Sequence, residues 1–391
     1  MRRVTQVSAE RVYLDHHAAT PPIAAALEAM ERARAAAWAN PASVHREGRQ
    51  ARALLERARS QVAGAIGGQV SELILTAGGS EACNLGVLGL GGNESGEAER
   101  PDVLTTAVEH PAVLRAAERR AAAQGGRVVM LAVPEGRPPG EDEFEAALGP
   151  RVGLCALQWV NHETGTVFPV EAYARVCRQA GVPLVVDATQ AAGKVGIDVG
   201  ALGADALALA SHKLGGPAGA GALWVSRRSV LQPQLLGGGQ ESGRRAGSPD
   251  VLSLVGFGAA CAELAARLAG QRRLSQLRER VEGELIRLGG VVNGAAGPRV
   301  ATVSNVSFRG QRGDELVAAL DLEGVGASSG AACSSGLAEA SPVLRAMYPD
   351  QAWRAGAALR LSFGPQTTEN ECKFALRLLQ QVLLRGAAGK S

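Results

Sequence analysis

Lysine is scarce in this chain, and its scarcity points to the first residue that could do chemistry. Of 41 basic residues only four are lysines: Lys194, Lys213, Lys373 and Lys390. Arginine serves wherever a general positive charge is enough. A retained lysine therefore suggests a task that a guanidinium cannot perform, because an amine can lose its proton and form a Schiff base. Lys373 and Lys390 lie near the end of the chain and suggest no such task. Lys213 stands in Ser211-His212-Lys213, after an apolar run and before Gly215-Gly216-Pro217. That setting suits covalent attachment of a carbonyl cofactor; the plainer reading is a solvated loop lysine.

Five further stretches carry chemistry. Asp187 closes the apolar run Leu184-Val185-Val186, where a carboxylate wants a cationic partner such as a protonated ring nitrogen, or serves as a cap for the next segment. Thr76-Ala77-Gly78-Gly79-Ser80 puts two glycines and a hydroxyl between a strand and a helix start. Backbone amides and the helix dipole favour a phosphate there, although an ordinary capped helix reads the same way. His110, in Val108-Glu109-His110-Pro111, sits at another strand-to-helix junction, where it can face a ring and move protons or simply cap the helix. Cys333 lies in the Gly, Ser and Ala company of residues 324–336, unlike the apolar setting of a structural cysteine, and reads as an accessible thiol. Arg360 interrupts the apolar run 358–362. That is costly unless it meets an anion, either a substrate carboxylate held bidentately or a structural partner.

These residues must be positioned by alternating elements. Strand patterns cover 73–76, 103–105, 128–131, 154–160, 184–186, 206–210 and 222–225. Helical patterns cover 21–37, 47–66, a stretch from 81, then 111–124, 141–148 and 170–180. Continuous apolar strands between helices predict an α/β fold with a mostly parallel sheet buried on both faces, and ligands of such sheets sit at the carboxyl ends of the strands. The Gly-rich stretch 236–240 reads as a turn or connection. Beyond it, 251–288 is helical, 303–308 and 359–363 are strand-like, and 370–384 is a final helix. The expected division is a large domain over 15–250 and a smaller α+β domain over 251–391, joined by 1–14.

Composition narrows the function classes. The net charge is +3 with no block of like charge, and aromatics make up 3%, so nucleic acid is not an expected partner. The N-terminus lacks the apolar segment of a signal peptide, and no run of about 18 apolar residues reads as a membrane span, so the expected location is the cytoplasm. The six cysteines include no C-x-x-C pair, which argues against a disulfide framework or a zinc site; no metal is expected.

Taken in order, the segments resemble the cysteine desulfurases of aminotransferase class V, among the fold-type I pyridoxal-phosphate enzymes. The resemblance runs from Tyr13-Leu14-Asp15 through residues 40–45, 76–84, Glu109-His110, 187–190, His212-Lys213, 237–239 and 328–335 to Arg360, nearly the whole chain. It implies that Lys213 carries pyridoxal 5'-phosphate, that Asp187 pairs with the ring nitrogen, and that Gln190 bonds the ring hydroxyl. By the same resemblance His110 stacks on the ring as acid and base. Gly79, Ser80 and His212 would hold the phosphate, with Ser248 reaching it from the second subunit of a homodimer. Arg360 and nearby Asn161 would bind the carboxylate of L-cysteine. Cys333 would take the sulfur as a persulfide in a long loop able to reach a sulfur-acceptor protein, and L-alanine would leave.

This chain also departs from the family pattern. A serine is common near position 211, and Ser211 leaves open which hydroxyl meets the phosphate. The usual two asparagines are Asn161-His162, so either could meet the ring hydroxyl. Ser248 stands where threonine is common. The chain stops soon after its last helix, without the extended tail that docks an iron–sulfur scaffold in housekeeping members, so iron–sulfur assembly, tRNA thiolation or another acceptor all remain open. Selenocysteine lyase, a plain aminotransferase and a non-catalytic interaction subunit are the competing readings.

Overall fold

The structure is a computed structural model that describes residues 11–91, 100–330 and 340–388. Its strands are β1 (Val12–Tyr13), β2 (Leu73–Thr76), β3 (Asp102–Thr106), β4 (Val128–Leu131), β5 (Val152–Gln158) and β6 (Leu184–Asp187). They continue with β7 (Ala206–Ala210), β8 (Gly221–Val225), β9 (Gly290–Val292), β10 (Val303–Phe308), β11 (Val325–Gly326) and β12 (Ala358–Ser362).

Seven strands form the main sheet, in the order β2-β8-β7-β6-β5-β3-β4. The pairs β3–β4, β3–β5, β5–β6 and β6–β7 are parallel, whereas β8 runs antiparallel to both of its neighbours. The exception has a local cause. Only residues 211–220 join β7 to β8, and a parallel return needs a longer crossover, usually a helix.

Side chains alternate between the two faces of this sheet. Leu104, Cys155, Val186 and Leu207 join a core with Phe144, Phe168 and Tyr173. Their neighbours Val103, Leu154, Val185 and Ala208 face a second core with Leu85 and Val113. This period of two, apolar on both sides, is what a buried parallel sheet requires. The helix Val170–Ala180 covers the first face, and Gly79–Gly89 and Pro111–Ala123 cover the second. The helix over Gly79–Gly89 lies close to the sheet: a Cβ on Gly86 would sit 3.0 Å from Val185.

A smaller antiparallel sheet, β12-β10-β9, pairs Asn305 with Arg360 and packs against the helices Gln271–Arg287, Gly313–Leu322 and Glu369–Ala388. β1 pairs with β11, so Val12 and Leu14 belong to this core rather than to the main sheet. The helical stretch expected over 251–288 is three helices, Val251–Ala262, Leu264–Ala269 and Gln271–Arg287, and the last break falls at Gly270, a poor helix former. The helix expected over 21–37 is confined to Ala24–Ala33. Among the described residues no helix is long and apolar enough to cross a membrane.

Candidate active site

β3, β5, β6 and β7 run parallel, and β2 shares their direction because it is antiparallel to β8. Their carboxyl ends therefore open on one edge of the sheet. The segments after them carry Gly79 and Ser80, His110, Asn161 and His162, Asp187 and Gln190, and Ser211, His212 and Lys213.

Lys213 lies in the single turn Ser211–Lys213 that links β7 to β8, and its Nζ donates to the carbonyls of His17 (2.7 Å) and Ala18 (2.9 Å). Burial, with help from the Lys213 and His110 charges, pushes His212 down to about 4. Ser211 is fully buried. Its Oγ has no partner among the described residues and lies under the Gly216 backbone, where an added Cβ would come within 2.2 Å.

Asp187 is buried at the end of β6, and its Oδ1 accepts from the Thr189 amide (2.9 Å) in a local turn; it caps no helix, since the next one begins at Val199 with Asp198 as its cap. Burial pushes the Cys83 thiol up, and the neighbouring Asp187 carboxylate pushes it further. Gln190 is also buried. Its Nε2 donates to the His17 carbonyl (2.8 Å) and its Oε1 accepts from Lys194 Nζ.

His110 is the N-cap of Pro111–Ala123, with Pro111 at the first helical position. Its Nδ1 accepts from the Ala112 amide (3.1 Å), which assigns the neutral ring to the Nε2–H tautomer. Burial lowers its pKa; Asp187 acts in the opposite sense and Lys213 adds to the lowering. The ring meets that of His162 edge-on, with centroids 5.4 Å apart. His162 is held well below its usual value by burial, then by His110, Arg360 and Lys213. Beside it Glu163 is raised to about 7 by burial, against the opposing pull of Ser341 and Arg360.

Asn161 is fully buried, and its amide is committed to the turn. Nδ2 donates to Val108 O (3.0 Å) and Gln158 Oε1 (3.3 Å), while Oδ1 accepts from the amides of Glu163 and Thr164 and from the Thr164 hydroxyl. It shapes the turn that carries His162 and has no donor left over for a ligand.

The helix Gly79–Gly89 begins at Gly78 with no side-chain cap, so its first amides point toward an open edge where Ser80 is exposed. A Cβ on Gly79 would meet Thr189 at 2.8 Å and Ala210 at 2.9 Å, so only glycine allows this close approach. Ser248 is exposed just before the helix Val251–Ala262.

Arg360 is 3% exposed in β12, and its Nη2 donates to Asp15 Oδ1 (2.8 Å). Nη1 donates to the His162 carbonyl (3.1 Å), and Nε has no partner among the described residues. The structural reading thus has its partner, a carboxylate inside the protein. Cys333 lies outside the described residues. The flanks of its segment are described: Ser328 bonds the Arg360 backbone in both directions, and Ser341 Oγ donates to Glu163 Oε2 (2.6 Å).

Sequence reasoning gave no role to Asp15, to the His17 carbonyl, or to Lys194 as the partner of Gln190. The clue available for all three was clustering: two histidines in succession after an aspartate, and one of the four lysines.

The architecture, with its amine, acid and cradle at one strand edge, is that of the fold-type I transferases. The aminotransferase class-V family model matches residues 12–374. An IscS-like cysteine desulfurase of Mycobacterium tuberculosis is 39% identical over 381 residues, covering 95% of this chain and 96% of that one. A solved NifS-like protein superposes with a TM-score of 0.86 at 28% identity, covering 96% of this chain and all of the other. The structure of SspA in complex with cysteine superposes at 0.77 with 30% identity, covering 91% of this chain and all of the other. The chain belongs to the aminotransferase class-V family, among its cysteine desulfurases.

Proposed function

We propose that this chain binds pyridoxal 5'-phosphate through Lys213 and removes sulfur from L-cysteine, releasing L-alanine and leaving a persulfide on Cys333. The observation that carries the proposal is the convergence of Lys213, Asp187 and His110 on one edge, which Arg360 of the smaller sheet reaches through the His162 carbonyl, with the flanks of the Cys333 segment bonded to Arg360 and Glu163. The residues fit the cofactor. The helix start at Gly78 is uncapped, and a Cβ there would meet nothing within 4 Å, which leaves room for a phosphate. Asp187 offers a buried carboxylate to a ring cation.

The cofactor, when bound, supplies the electron sink that stabilises a carbanion at the substrate Cα. The chain's own residues do the rest. Arg360, steadied by Asp15 and the His162 carbonyl, orients the substrate carboxylate. His110 presents Nε2–H to the reacting edge as a donor, because its Nδ1 is held by Ala112. Gln190 and Asn161 hold the segments around the ring, and His162 packs against His110. The Cys333 thiolate attacks the substrate sulfur: the new S–S bond replaces the substrate C–S bond, the Cα–Cβ fragment gains a proton, and no outside oxidant is needed.

Further parts of the reading have less support. Exposed Ser248, with exposed Leu235 and Leu236 in the same stretch, supports a second copy docking here as a homodimer. The separate core holding Val12, Leu14 and residues from Leu274 onward supports a second, smaller domain, whose start lies nearer Gly270 than 250, because Leu254, Phe257 and Leu264 pack in the main core. We place the protein in the cytoplasm and give the persulfide to an acceptor protein. The test is alanine and sulfide release from L-cysteine with a thiol reductant. Equal amounts from the wild type, both lost in Cys333→Ala, support the proposal. Bound cofactor with no alanine from the wild type refutes it.

A further inference from the structure

The turn that would receive the cofactor phosphate, residues 76–80, follows an edge strand. β2 has β8 as its one neighbour among the described residues. An edge strand leaves one row of backbone groups without a ladder partner. The segment 240–245 covers that row with side chains. Glu241 accepts from the Leu75 amide (2.9 Å), while Arg59 Nη1 and Arg244 Nη2 each donate to the Leu73 carbonyl (3.3 Å). Arg59 also meets Glu241 through both terminal nitrogens, at 2.6 and 2.7 Å, and this pair is largely buried. Two successive non-glycine residues of the segment sit in the left-handed region, Glu241 at φ 51° and Ser242 at φ 59°. Such backbone persists where its surroundings over-determine it, and the three bonds to the Glu241 carboxylate do so here.

The other end of the same segment grips the far side of the turn. Arg245 donates to both oxygens of Glu81, Nε to Oε1 at 2.7 Å and Nη2 to Oε2 at 3.1 Å. Glu81 lies in the first turn of the helix Gly79–Gly89, and its Oε2 also accepts from the Ala77 amide (2.8 Å). The turn 76–80 is thus held at Leu75 through Glu241, and at Ala77 and Glu81 through Arg245. Charge enters as well as shape. A carboxylate in the first turn suits the helix dipole, but it repels a second anion brought to the same place. Arg245 offsets that charge. The two side chains are only 14% and 29% exposed, so solvent and salt screen them less than a surface pair.

We propose that Arg245 is a positioning residue for the cofactor phosphate: it offsets the charge of Glu81 beside the uncapped helix start and keeps that carboxylate on the Ala77 amide, while Glu241 and Arg59 anchor the segment that presents it. The inference rests on the pyridoxal-phosphate reading of this edge.

The test titrates the full chain, stripped of cofactor, with pyridoxal 5'-phosphate and with pyridoxal, which lacks the phosphate. The visible absorbance of the bound form reports both. Arg245→Gln should weaken the phosphate form by about tenfold or more, the size expected when one charge-assisted pairing is lost, and leave pyridoxal within about twofold. Glu81→Gln can still accept from the Ala77 amide but carries no charge. It should bind the phosphate form at least as well as wild type, and combined with Arg245→Gln it should recover most of the loss. Equal weakening of both ligands by Arg245→Gln would make the residue merely structural and overturn the proposal. So would an unchanged affinity for the phosphate form, or a double variant as weak as Arg245→Gln alone. If Arg245→Gln does not fold, Glu81→Gln decides: weaker binding of the phosphate form than in wild type overturns the proposal, and equal or tighter binding supports it. A wild type that takes up neither ligand refutes the cofactor reading itself, and the inference with it.

Discussion

Replacing His110 by asparagine and by glutamine separates the cap its imidazole makes from the catalytic donor role proposed for it. Nδ1 caps the helix Pro111–Ala123 by accepting from Ala112, and the tautomer this imposes leaves the proton on Nε2. Becoming an imidazolium would need a proton on Nδ1 as well, which breaks the cap, turns a donor toward the helix N-terminus and buries a charge. The lowering of this pKa by burial and Lys213 acts in the same direction, with Asp187 opposing it. His110 should therefore act as a neutral donor at neutral pH. Asparagine is among the best N-caps but cannot reach the Nε2 position. It should fold normally and lose about 10²- to 10³-fold in kcat, the usual cost of removing one positioned donor. Glutamine places an amide N–H near the Nε2 position but gives up the cap, at about 1 kcal/mol of stability. It should keep kcat within about tenfold of wild type, because the donor survives. Alanine formation across pH, together with thermal unfolding, measures both effects. If glutamine is as inactive as asparagine, and the wild-type rate follows a titration near the ordinary histidine value, the imidazole must exchange protons and the donor argument fails.

Three further outcomes follow from distances in the same site. Arg360→Lys should raise KM for L-cysteine by about tenfold or more with a smaller change in kcat, because an ammonium cannot reproduce the planar contacts to Asp15 and the His162 carbonyl; an unchanged KM would remove Arg360 from carboxylate binding. Gly79→Ala forces a Cβ to within 2.8 Å of Thr189 and 2.9 Å of Ala210. It should cost about 1–3 kcal/mol and weaken cofactor retention, both visible in absorbance-monitored unfolding. Glu163, raised to about 7, binds its proton more tightly folded than unfolded. Its contribution to stability is therefore complete below the unfolded carboxyl value and is lost as pH rises through about 7. Relative to Glu163→Gln, wild type should lose up to about 3 kcal/mol between pH 4.5 and 7.5, read from denaturant midpoints. A difference that does not vary with pH would mean that the carboxyl is not shifted.

The main sheet was legible in the sequence because its strands, apart from the half-buried edge strand β4, are buried on both faces, and because helices of clear period separate several of them. All seven appear where apolar runs predicted them, within a residue or two. The two-residue strands β1 and β11 carry no periodicity to detect; their pairing is a tertiary fact. The helix Gly313–Leu322 was missed because nothing marked its start strongly. Of the site, the residues at strand ends were legible from type and position. Their partners were not. Arg360 called for an anion, but its meeting with Asp15 spans 345 positions in the chain, and nothing in local sequence encodes such a contact. Asn161 was read by analogy as a ligand contact, and its complete commitment to the turn could be seen only with the turn in place.

The segment from Leu14 to Ile23 explains how the parts act together. The Leu14 carbonyl accepts from the Ser362 amide, the His17 amide donates to Ser362 Oγ, and Asp15 holds Arg360, so one end is fastened to β12. The Thr20 and Ile23 amides donate to the carbonyls of His212 and Gly215, so the other end is fastened to the loop that carries Lys213. Between these anchors the single carbonyl of His17 accepts from both Lys213 and Gln190. Arg360, proposed to hold the substrate, and Lys213, proposed to hold the cofactor, lie on and beside different sheets, and this segment ties the two together. A change at His17 that leaves every proposed catalytic residue intact should still misplace one anchor relative to the other. Misplacement of that kind, even by about 1 Å, is enough to cost about 10²-fold in rate.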